Sequence, residues 1–120
     1  MKKSLGDFGE KIAEGYLKKH GYTILEKNYR TRFGEVDIIA KEGEIICFVE
    51  VKTRTGTDFG LPQEAVNFKK QNKIIRAALA YITENKFKGT WRIDVVAILI
   101  DKNKKTHNIE LIRNATSFSV

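Results

Sequence analysis

Apolar residues at the start of the chain recur every three to four positions, the spacing of one face of an α-helix. The residues on this face are Leu5, Phe8, Ile12, Ala13, Tyr16 and Leu17. Ser4 and Asp7 are typical of a helix start, and Gly21 is typical of a helix end. The pattern predicts a helix over residues 5–20.

The apolar segments that follow are short, and they are either alternating or continuously apolar, as β-strands are. We expect strands over residues 22–30, 35–41 and 44–54. Glu42 and Gly43 separate the second and third of these segments, and a two-residue connection that contains glycine favours a tight hairpin. The sequence therefore predicts that these two strands pair with each other.

The second half of the chain predicts a loop, one more helix and two more strands. Residues 55–62 are rich in loop residues, and residues 63–85 have helical spacing along the stripe Gln71, Ile74, Ile75, Ala78 and Ile82. Residues 90–101 and 107–114 are expected to be strands. The predicted order is α-β-β-β-α-β-β, and a mixed β-sheet flanked by two helices, an α/β fold, is the simplest way to bury these faces.

The composition is that of an ordinary globular protein, with 42% hydrophobic and 31% charged residues. The simplest organisation is one domain over residues 1–120. Lys2 and Lys3 are not followed by an apolar run, so we expect no signal peptide, no membrane span and a cytoplasmic protein. Cys47 is the single cysteine and is expected in the core, which excludes an internal disulfide and a thiolate-rich metal site.

A net charge of +7, from 22 Lys and Arg against 15 Asp and Glu, favours a polyanionic partner, because basic surfaces attract phosphates. No aromatic-rich platform for single strands and no motif that reads the major groove is apparent. We therefore expect nucleic acid to be recognised by its shape and its phosphates.

Four charged residues interrupt the most apolar predicted hairpin, where charge is unfavourable unless something compensates it. They are Glu35, Asp37, Glu50 and Lys52. With the turn at its predicted place, Glu35 faces Glu50, and Asp37 lies diagonal to Glu50 at roughly 7 to 8 Å between backbone positions. All four side chains then share one face, and three carboxylates together favour a hard divalent cation.

A second interpretation needs no metal. Lys52 can neutralise Glu50 or Glu35, with the other charges at a wet strand end. A three-residue turn would also turn one strand over and scatter the group. Glu10 lies at the border of the apolar face of the first predicted helix, where it can either reach the sheet or remain an exposed helix glutamate.

Several sequence blocks resemble known nucleases. Asp37 followed by "EVK" (residues 50–52) resembles the PD-(D/E)xK nuclease superfamily, and "GDFGEKIAEGYLKKHGY" is similar to the opening helix of archaeal Holliday-junction resolvases. "NYR", "GEVDIIA", "FVEVKTR", "KKQNKIIRAALAYI" and "RIDVVAI" together look like the YraN-like family of small bacterial proteins. This similarity runs from about Gly9 to Ile98.

The resemblance implies a restriction-endonuclease-like fold with a site for Mg²⁺ or Mn²⁺. Asp37 and Glu50 would be metal ligands, Glu10 would be a further acid and metal ligand, and Lys52 would be the catalytic lysine. Val36 stands where the superfamily name has proline, a position that carries no chemistry. Resolvases of this fold act as two-fold dimers, so the resemblance also implies a homodimer.

A carboxylate-bound divalent ion can both activate water and stabilise the charged phosphorane of phosphodiester hydrolysis. We favour Lys52 as a charged donor that orients the water, because nearby carboxylates favour its charged form. Arg30, Arg32 and Arg54 flank the hairpin and can either border the scissile phosphate or lie at a solvated strand end.

Polar residues on the second predicted helix and on the fourth predicted strand are further candidates. Lys70 flanks the apolar stripe and is a candidate contact to nucleic acid. Gln71 lies on the stripe and can either reach the site or a backbone phosphate, or make a hydrogen bond in the core. Asp94 lies in an apolar strand, and we expect no role for it beyond an ion pair.

The sequence supports two functions of different classes. The first is a metal-dependent endonuclease or resolvase that hydrolyses phosphodiester bonds in branched or structured DNA. The second is a non-catalytic accessory protein that binds DNA and keeps the nuclease fold. The presence of all four expected site residues favours the enzyme, and nothing in the sequence excludes RNA as the substrate.

Overall fold

The computed structural model describes residues 5–55, 68–101 and 106–115. Its elements, in chain order, are α1 (Leu5–Lys19), β1 (Tyr22–Thr31), β2 (Gly34–Glu42), β3 (Ile45–Thr55), α2 (Phe68–Glu84), β4 (Trp91–Asp101) and β5 (Thr106–Ile112). The predicted order of helices and strands is confirmed, with most boundaries within one or two residues. The predicted loop from residue 56 and the predicted start of the second helix at residue 63 lie outside the described residues.

The five strands form one mixed sheet in the order β1-β2-β3-β4-β5. Strands β1 to β3 are antiparallel neighbours, β3 and β4 are parallel, and β5 returns antiparallel to β4. Two parallel neighbours need a long crossover connection, and α2 lies in that connection. The α/β architecture with a mixed sheet is therefore as predicted. Neither of the two described helices has the length and apolar character needed to span a bilayer.

Each helix covers one face of the sheet. Helix α1 buries Ala13 and Leu17 in a cluster that includes Ile38, Val49 and Val96. Helix α2 buries a second cluster on the opposite face, formed by Ile74, Ala77 and Ala78 from the helix and by Ile39, Phe48 and Ile93 from the strands. Cys47 is fully buried in the first cluster, as predicted, and burial raises the pKa of its thiol to about 12.

The hairpin between β2 and β3 turns one residue later than predicted. Glu42 pairs with Ile45, so the turn consists of Gly43 and Glu44, and Gly43 has a φ of 61°. Glycine takes this left-handed conformation without a steric penalty, which explains why it occupies the first turn position. The predicted turn at Glu42 and Gly43 is therefore wrong, and the strand register moves by two residues.

A shift of two residues preserves the predicted faces within the regular pairs of the hairpin, residues 38–42 and 45–49, because side chains alternate with a period of two. It does change the partners. Phe48 pairs with Ile39, and the last regular pair of the hairpin is Ile38 with Val49. The predicted pairing of Glu35 with Glu50 is therefore wrong, and Glu35 pairs with Arg30 of β1. Beyond that pair, the Val51 N–H donates to the Asp37 side chain at 2.8 Å. Asp37 therefore lies beside the Glu50–Val51 segment of β3.

Asp94 is fully buried in a polar network at the end of the sheet where β4 begins. Its carboxylate accepts hydrogen bonds from the Tyr22 hydroxyl at 2.9 Å, the Arg92 Nε at 2.9 Å and the Asn114 N–H at 2.8 Å. The ion pair expected for Asp94 is present. Arg92 and Arg113 also pair with Glu42, and these guanidinium groups lower the pKa of Glu42 to about 2.

Candidate active site

A cleft of about 710 Å³ lies at the end of the sheet where β1 ends and β2 begins. Both helices contribute to its walls, since Gly6 and Glu10 come from α1 and Lys73 and Ile74 come from α2. Its strand and turn residues are Arg30, Thr31, Arg32, Phe33, Gly34, Glu35, Asp37, Glu50 and Val51. The cleft therefore combines four carboxylates with two arginines and a lysine.

Asp37 and Glu50 are the most enclosed acids of this cleft. Glu50 is only 8% exposed, and Asp37 is half-buried with its Oδ2 bound to the Val51 N–H. Burial and the negative charge of Glu50 raise the pKa of Asp37 to about 7, although the hydrogen bond from Val51 acts in the opposite direction. The charges of Glu10 and Glu35 raise it further. Near neutral pH this carboxylate is therefore close to its midpoint of protonation.

Glu10 reaches the same cleft from α1 instead of remaining a solvated helix glutamate. Burial raises its pKa, and the charges of Asp7, Glu35 and Glu50 add to this effect. A hydrogen bond with the Asn28 side chain lowers it. Asn28 has a φ of 54°, a left-handed conformation that asparagine tolerates better than most residues. Sequence reasoning did not find Asn28, because the contact depends on how α1 packs on β1, which the spacing of residues along either element does not show.

Close packing of α1 on β3 positions Glu10. A Cβ atom at Gly9 would lie 1.9 Å from Oγ1 of Thr53, so only glycine allows this approach of the helix to the strand. Gly9 is buried and directly precedes Glu10, and Thr53 directly follows Lys52. The contact therefore places the start of α1 beside the segment of β3 that carries Glu50 and Lys52.

Lys52 and Arg54 lie on β3 outside the walls of the cleft. Lys52 is half-buried and pairs across the sheet with Ala97. Arg54 is exposed, and its guanidinium Nη1 donates to the carbonyl oxygen of Thr53 at 3.2 Å. Of the three flanking arginines named from the sequence, the structure brings Arg30 and Arg32 to the cleft and leaves Arg54 beyond it.

The basic residues at the cleft are solvent-exposed. Arg30 pairs with Glu35 at 3.1 Å, and both side chains of this pair are more than half exposed. The Arg32 guanidinium lies over the ring of Phe33, with its central carbon 5.5 Å from the ring centroid. Lys73 of α2 also lines the cleft and is exposed. Lys70 and Gln71 lie on α2, but their side chains are outside the described part of the structure.

Two carboxylates of the cleft, instead of three, are placed to bind a hard divalent ion. Across residues 5–55, 68–101 and 106–115, no three His, Cys, Asp or Glu side chains form a group that could hold a metal ion by themselves. Mg²⁺ typically uses one or two protein carboxylates and keeps several water ligands. Asp37 and Glu50 provide such a pair of oxygen donors, and Glu10 lies near them in the cleft. The donor set therefore fits Mg²⁺ or Mn²⁺.

Comparison with known proteins connects the chain to one family. Residues 9–98 match the model of the uncharacterised protein family UPF0102. A UPF0102 protein of Clostridium botulinum (strain 657 / Type Ba4) is 48% identical, with 94% of each chain covered. A UPF0102 protein of Alkaliphilus metalliredigens is 50% identical, covering 91% of this chain and 96% of the relative. The UPF0102 protein of Clostridium acetobutylicum is 47% identical, covering 96% and 95%. The matched region contains every acid of the candidate cleft.

Proposed function

Because the chain belongs to the UPF0102 family, the YraN-like family that its sequence blocks resemble, we propose a function from its site: metal-dependent hydrolysis of phosphodiester bonds in branched or structured DNA. The observation that carries this proposal is the pair formed by Asp37 and Glu50 in a cleft edged by arginines. Burial and mutual repulsion make this pair unfavourable while it is ionised, which is reflected in the raised pKa of Asp37. Such a pair is costly unless it serves to bind a cation.

Asp37 and Glu50 would hold the metal ion, and Glu10 would accept a proton or orient a water molecule at the edge of the same site. When bound, Mg²⁺ or Mn²⁺ supplies a Lewis acid and lowers the pKa of water enough to make it a nucleophile. Because the pKa of Asp37 lies near 7, metal binding must displace a proton in neutral solution. Metal affinity is therefore expected to rise with pH up to about 7 and then to level off.

Arg30 and Arg32 would bind the phosphate next to the scissile bond. The ion pair of Arg30 with Glu35 is solvent-exposed, and exposed pairs contribute little free energy. A phosphate can therefore replace Glu35 as the partner of Arg30 at small cost, with charge-assisted hydrogen bonds in return. Lys52, two residues after Glu50 on β3, would donate a charged hydrogen bond to the attacking water or to the phosphorane.

The test is a cleavage assay with purified protein on a four-way junction, a fork, a duplex and a single strand, each with Mg²⁺, Mn²⁺ or chelator. We expect cleavage of the branched substrates that requires metal. Asp37→Asn and Glu50→Gln should each lower the single-turnover rate by about 100-fold or more, a typical loss when a group that stabilises the transition state is removed. Glu44→Gln, in the exposed hairpin turn, is the matched control and should cut normally.

An accessory protein that binds DNA without cutting is the second candidate function. Two observations favour it: no three-ligand metal group is found in the described ranges, and Lys52 does not line the cleft. This function predicts DNA binding that is unchanged by Asp37→Asn and no cleavage with any metal. Metal-dependent cleavage that is lost in Asp37→Asn would exclude it.

A further inference from the structure

A second depression, of about 880 Å³, adjoins the acid cleft on the α2 side of β1. It shares the Arg30–Phe33 segment with the cleft, so one turn forms a wall of both. The end of β1 forms one side of this depression, which we call the side groove, and Arg76, Leu79 and Thr83 of α2 form the other. A ligand in the side groove would therefore be next to a phosphate in the cleft.

The side groove presents unusually exposed apolar side chains. Phe33 is 49% exposed and Leu79 is 48% exposed, and both line the groove. A single exposed hydrophobic residue is ordinary, but two that line one concave surface provide apolar contacts for a ligand. The flat ring of Phe33 and the branched side chain of Leu79 suit a planar apolar group.

The backbone of the turn holds Phe33 in a defined position. The Thr31 hydroxyl oxygen accepts hydrogen bonds from the N–H groups of Phe33 at 3.1 Å and of Gly34 at 3.2 Å, and the hydroxyl donates to the Gly34 carbonyl at 3.0 Å. A turn fixed in this way presents an aromatic ring without a large loss of entropy on binding. Phe33 is therefore suited to be a contact residue.

The charge of the side groove complements an anion. Arg30, Arg32 and Arg76 are exposed at its walls. Among the described residues that line the groove, the acid is Glu84, which accepts a hydrogen bond from the Tyr29 hydroxyl at 3.2 Å. A ligand that combines a planar apolar face with negative charge matches this surface, and a nucleotide has both properties.

We infer that the side groove binds an unpaired nucleotide of the DNA, next to the phosphate that occupies the acid cleft. The base would stack on Phe33 and contact Leu79, and its phosphate would lie near Arg32 and Arg76. A base inside a duplex has both faces covered by its neighbours, so only an unstacked base at a fork, junction or gap can enter. This inference rests on the proposed function in taking DNA as the substrate, but it requires no cleavage.

The test measures binding in chelator, where metal-dependent cleavage does not occur. One probe is a forked duplex that carries 2-aminopurine as the first unpaired base, and the other is a fully paired duplex with the same 2-aminopurine. Stacking on an aromatic ring quenches this fluorophore, so its emission in the fork should fall when the wild-type protein binds. Phe33→Ala should abolish the fall and weaken fork binding by about 10-fold or more, while duplex affinity stays unchanged.

Matched variants separate stacking from other effects. Phe8→Ala changes a phenylalanine that is 50% exposed on α1 and outside the side groove, and it should retain both the affinity and the quenching. Phe33→Trp should restore them, since tryptophan also offers a stacking face. Thermal unfolding of each variant verifies its fold, which is expected to be unaffected because Phe33 is half exposed.

Three results would overturn the inference. Phe33→Ala could bind the fork as the wild type does, or it could lose fork and duplex affinity equally. Sedimentation could instead show a wild-type dimer that Phe33→Ala converts to a monomer, so that the occupant of the side groove is a second copy. Asp37→Asn distinguishes this inference from the proposed function, because it should abolish cleavage and keep the fork quenching.

Discussion

The pKa of Asp37 links the protonation of this residue to the stability of the folded protein. Its pKa rises from an ordinary value of 3.8 to about 7 in the folded protein, because it is buried beside Glu50. The folded state therefore holds this proton more tightly than the unfolded state does. The stability that results is fully present below pH 4 and is lost as the pH rises through about 7. Above that pH, an ionised Asp37 opposes folding.

Asp37→Asn should therefore stabilise the metal-free protein in alkaline solution. The shift in pKa corresponds to at most about 4 kcal/mol at pH 8, with little effect at pH 4. The asparagine Oδ1 can still accept the Val51 N–H, so the local backbone is retained. Denaturant unfolding in chelator at both pH values measures this effect, and Glu44→Gln is the control. If Asp37→Asn were instead less stable than the wild type at pH 8, ionised Asp37 would not be destabilising in the folded protein.

Lys52→Met tests whether this lysine acts in catalysis or as a structural counter-ion. Methionine keeps much of the apolar stem and removes the charge. If Lys52 acts mainly in the transition state, single-turnover cleavage should collapse while DNA affinity changes little. Lys41→Met, a half-buried lysine on β2 outside the cleft, is the matched control.

A structural role for Lys52 predicts a different result. Removal of one partner from a buried pair would lower the stability by about 3 to 5 kcal/mol, and any loss of activity would follow unfolding. Thermal stability, DNA affinity and cleavage measured on one preparation distinguish the two roles. A well-folded Lys52→Met that cuts at the wild-type rate would remove Lys52 from the mechanism.

At the scale of elements, the site depends on the way α1 rests on the sheet. The close contact of Gly9 with Thr53 lets the helix approach β3, and Glu10 follows directly. Residues on the same helix but away from this contact have more room. Gly15, for example, has no atom within 4 Å of the position that a Cβ would take. The two glycines therefore offer a matched pair of substitutions in one helix.

Gly9→Ala should destabilise the protein by about 1 to 3 kcal/mol, the usual cost of an overpacked contact. It should also displace Glu10 and lower the cleavage rate of the folded protein. Gly15→Ala should instead stabilise the helix by about 0.5 to 1 kcal/mol, because alanine favours helix more than glycine does. Thermal unfolding with parallel cleavage assays checks both variants, and equal effects of the two would refute the role given to the contact.

At the scale of the whole molecule, acids of two kinds lie at different ends of the sheet. The acids of the cleft repel one another, and the pKa of Asp37 and that of Glu10 are raised. Asp94 and Glu42, where β2 ends and β4 begins, are instead bound by arginines. These ion pairs, together with the hydrogen bonds that Asp94 accepts, join β1, β2 and β4 to the residues that follow β5. We propose that the first group binds a cation, whereas the second group connects neighbouring strands of the sheet.

Asp94→Asn should separate stabilisation of the sheet from metal binding in the cleft, since it breaks a buried ion pair without changing the cleft. We expect a loss of about 3 to 5 kcal/mol in the free energy of unfolding. The metal affinity of the folded protein should not change. Glu14→Gln is the control, because its pairs with Lys18 and Lys27 are largely exposed and should contribute no more than about 1 kcal/mol. Calorimetry with Mn²⁺ and denaturant unfolding provide the two measurements.

Much of the fold could be predicted because local spacing reflects burial. Ala13 and Leu17 on α1 and the centre of the apolar run of β4 are buried where their patterns indicated, although Phe8 of the same α1 stripe is 50% exposed. The alternation within the regular pairs of the hairpin was also predictable, since it survives an even shift of register. The position of the turn could not be predicted, because the choice between Glu42 and Gly43 as its first residue depends on backbone conformation and on packing across the sheet.

The sequence by itself determined the order of the elements, the family and the presence of acids on one hairpin, because these depend on local pattern and on residue identity. Only the tertiary structure decided which residues meet. It brought Glu10 and Asn28 together, separated Arg54 from the cleft, and placed Phe33 beside Leu79 to form the side groove. These arrangements depend on how closely each helix packs on the sheet, which no local pattern encodes.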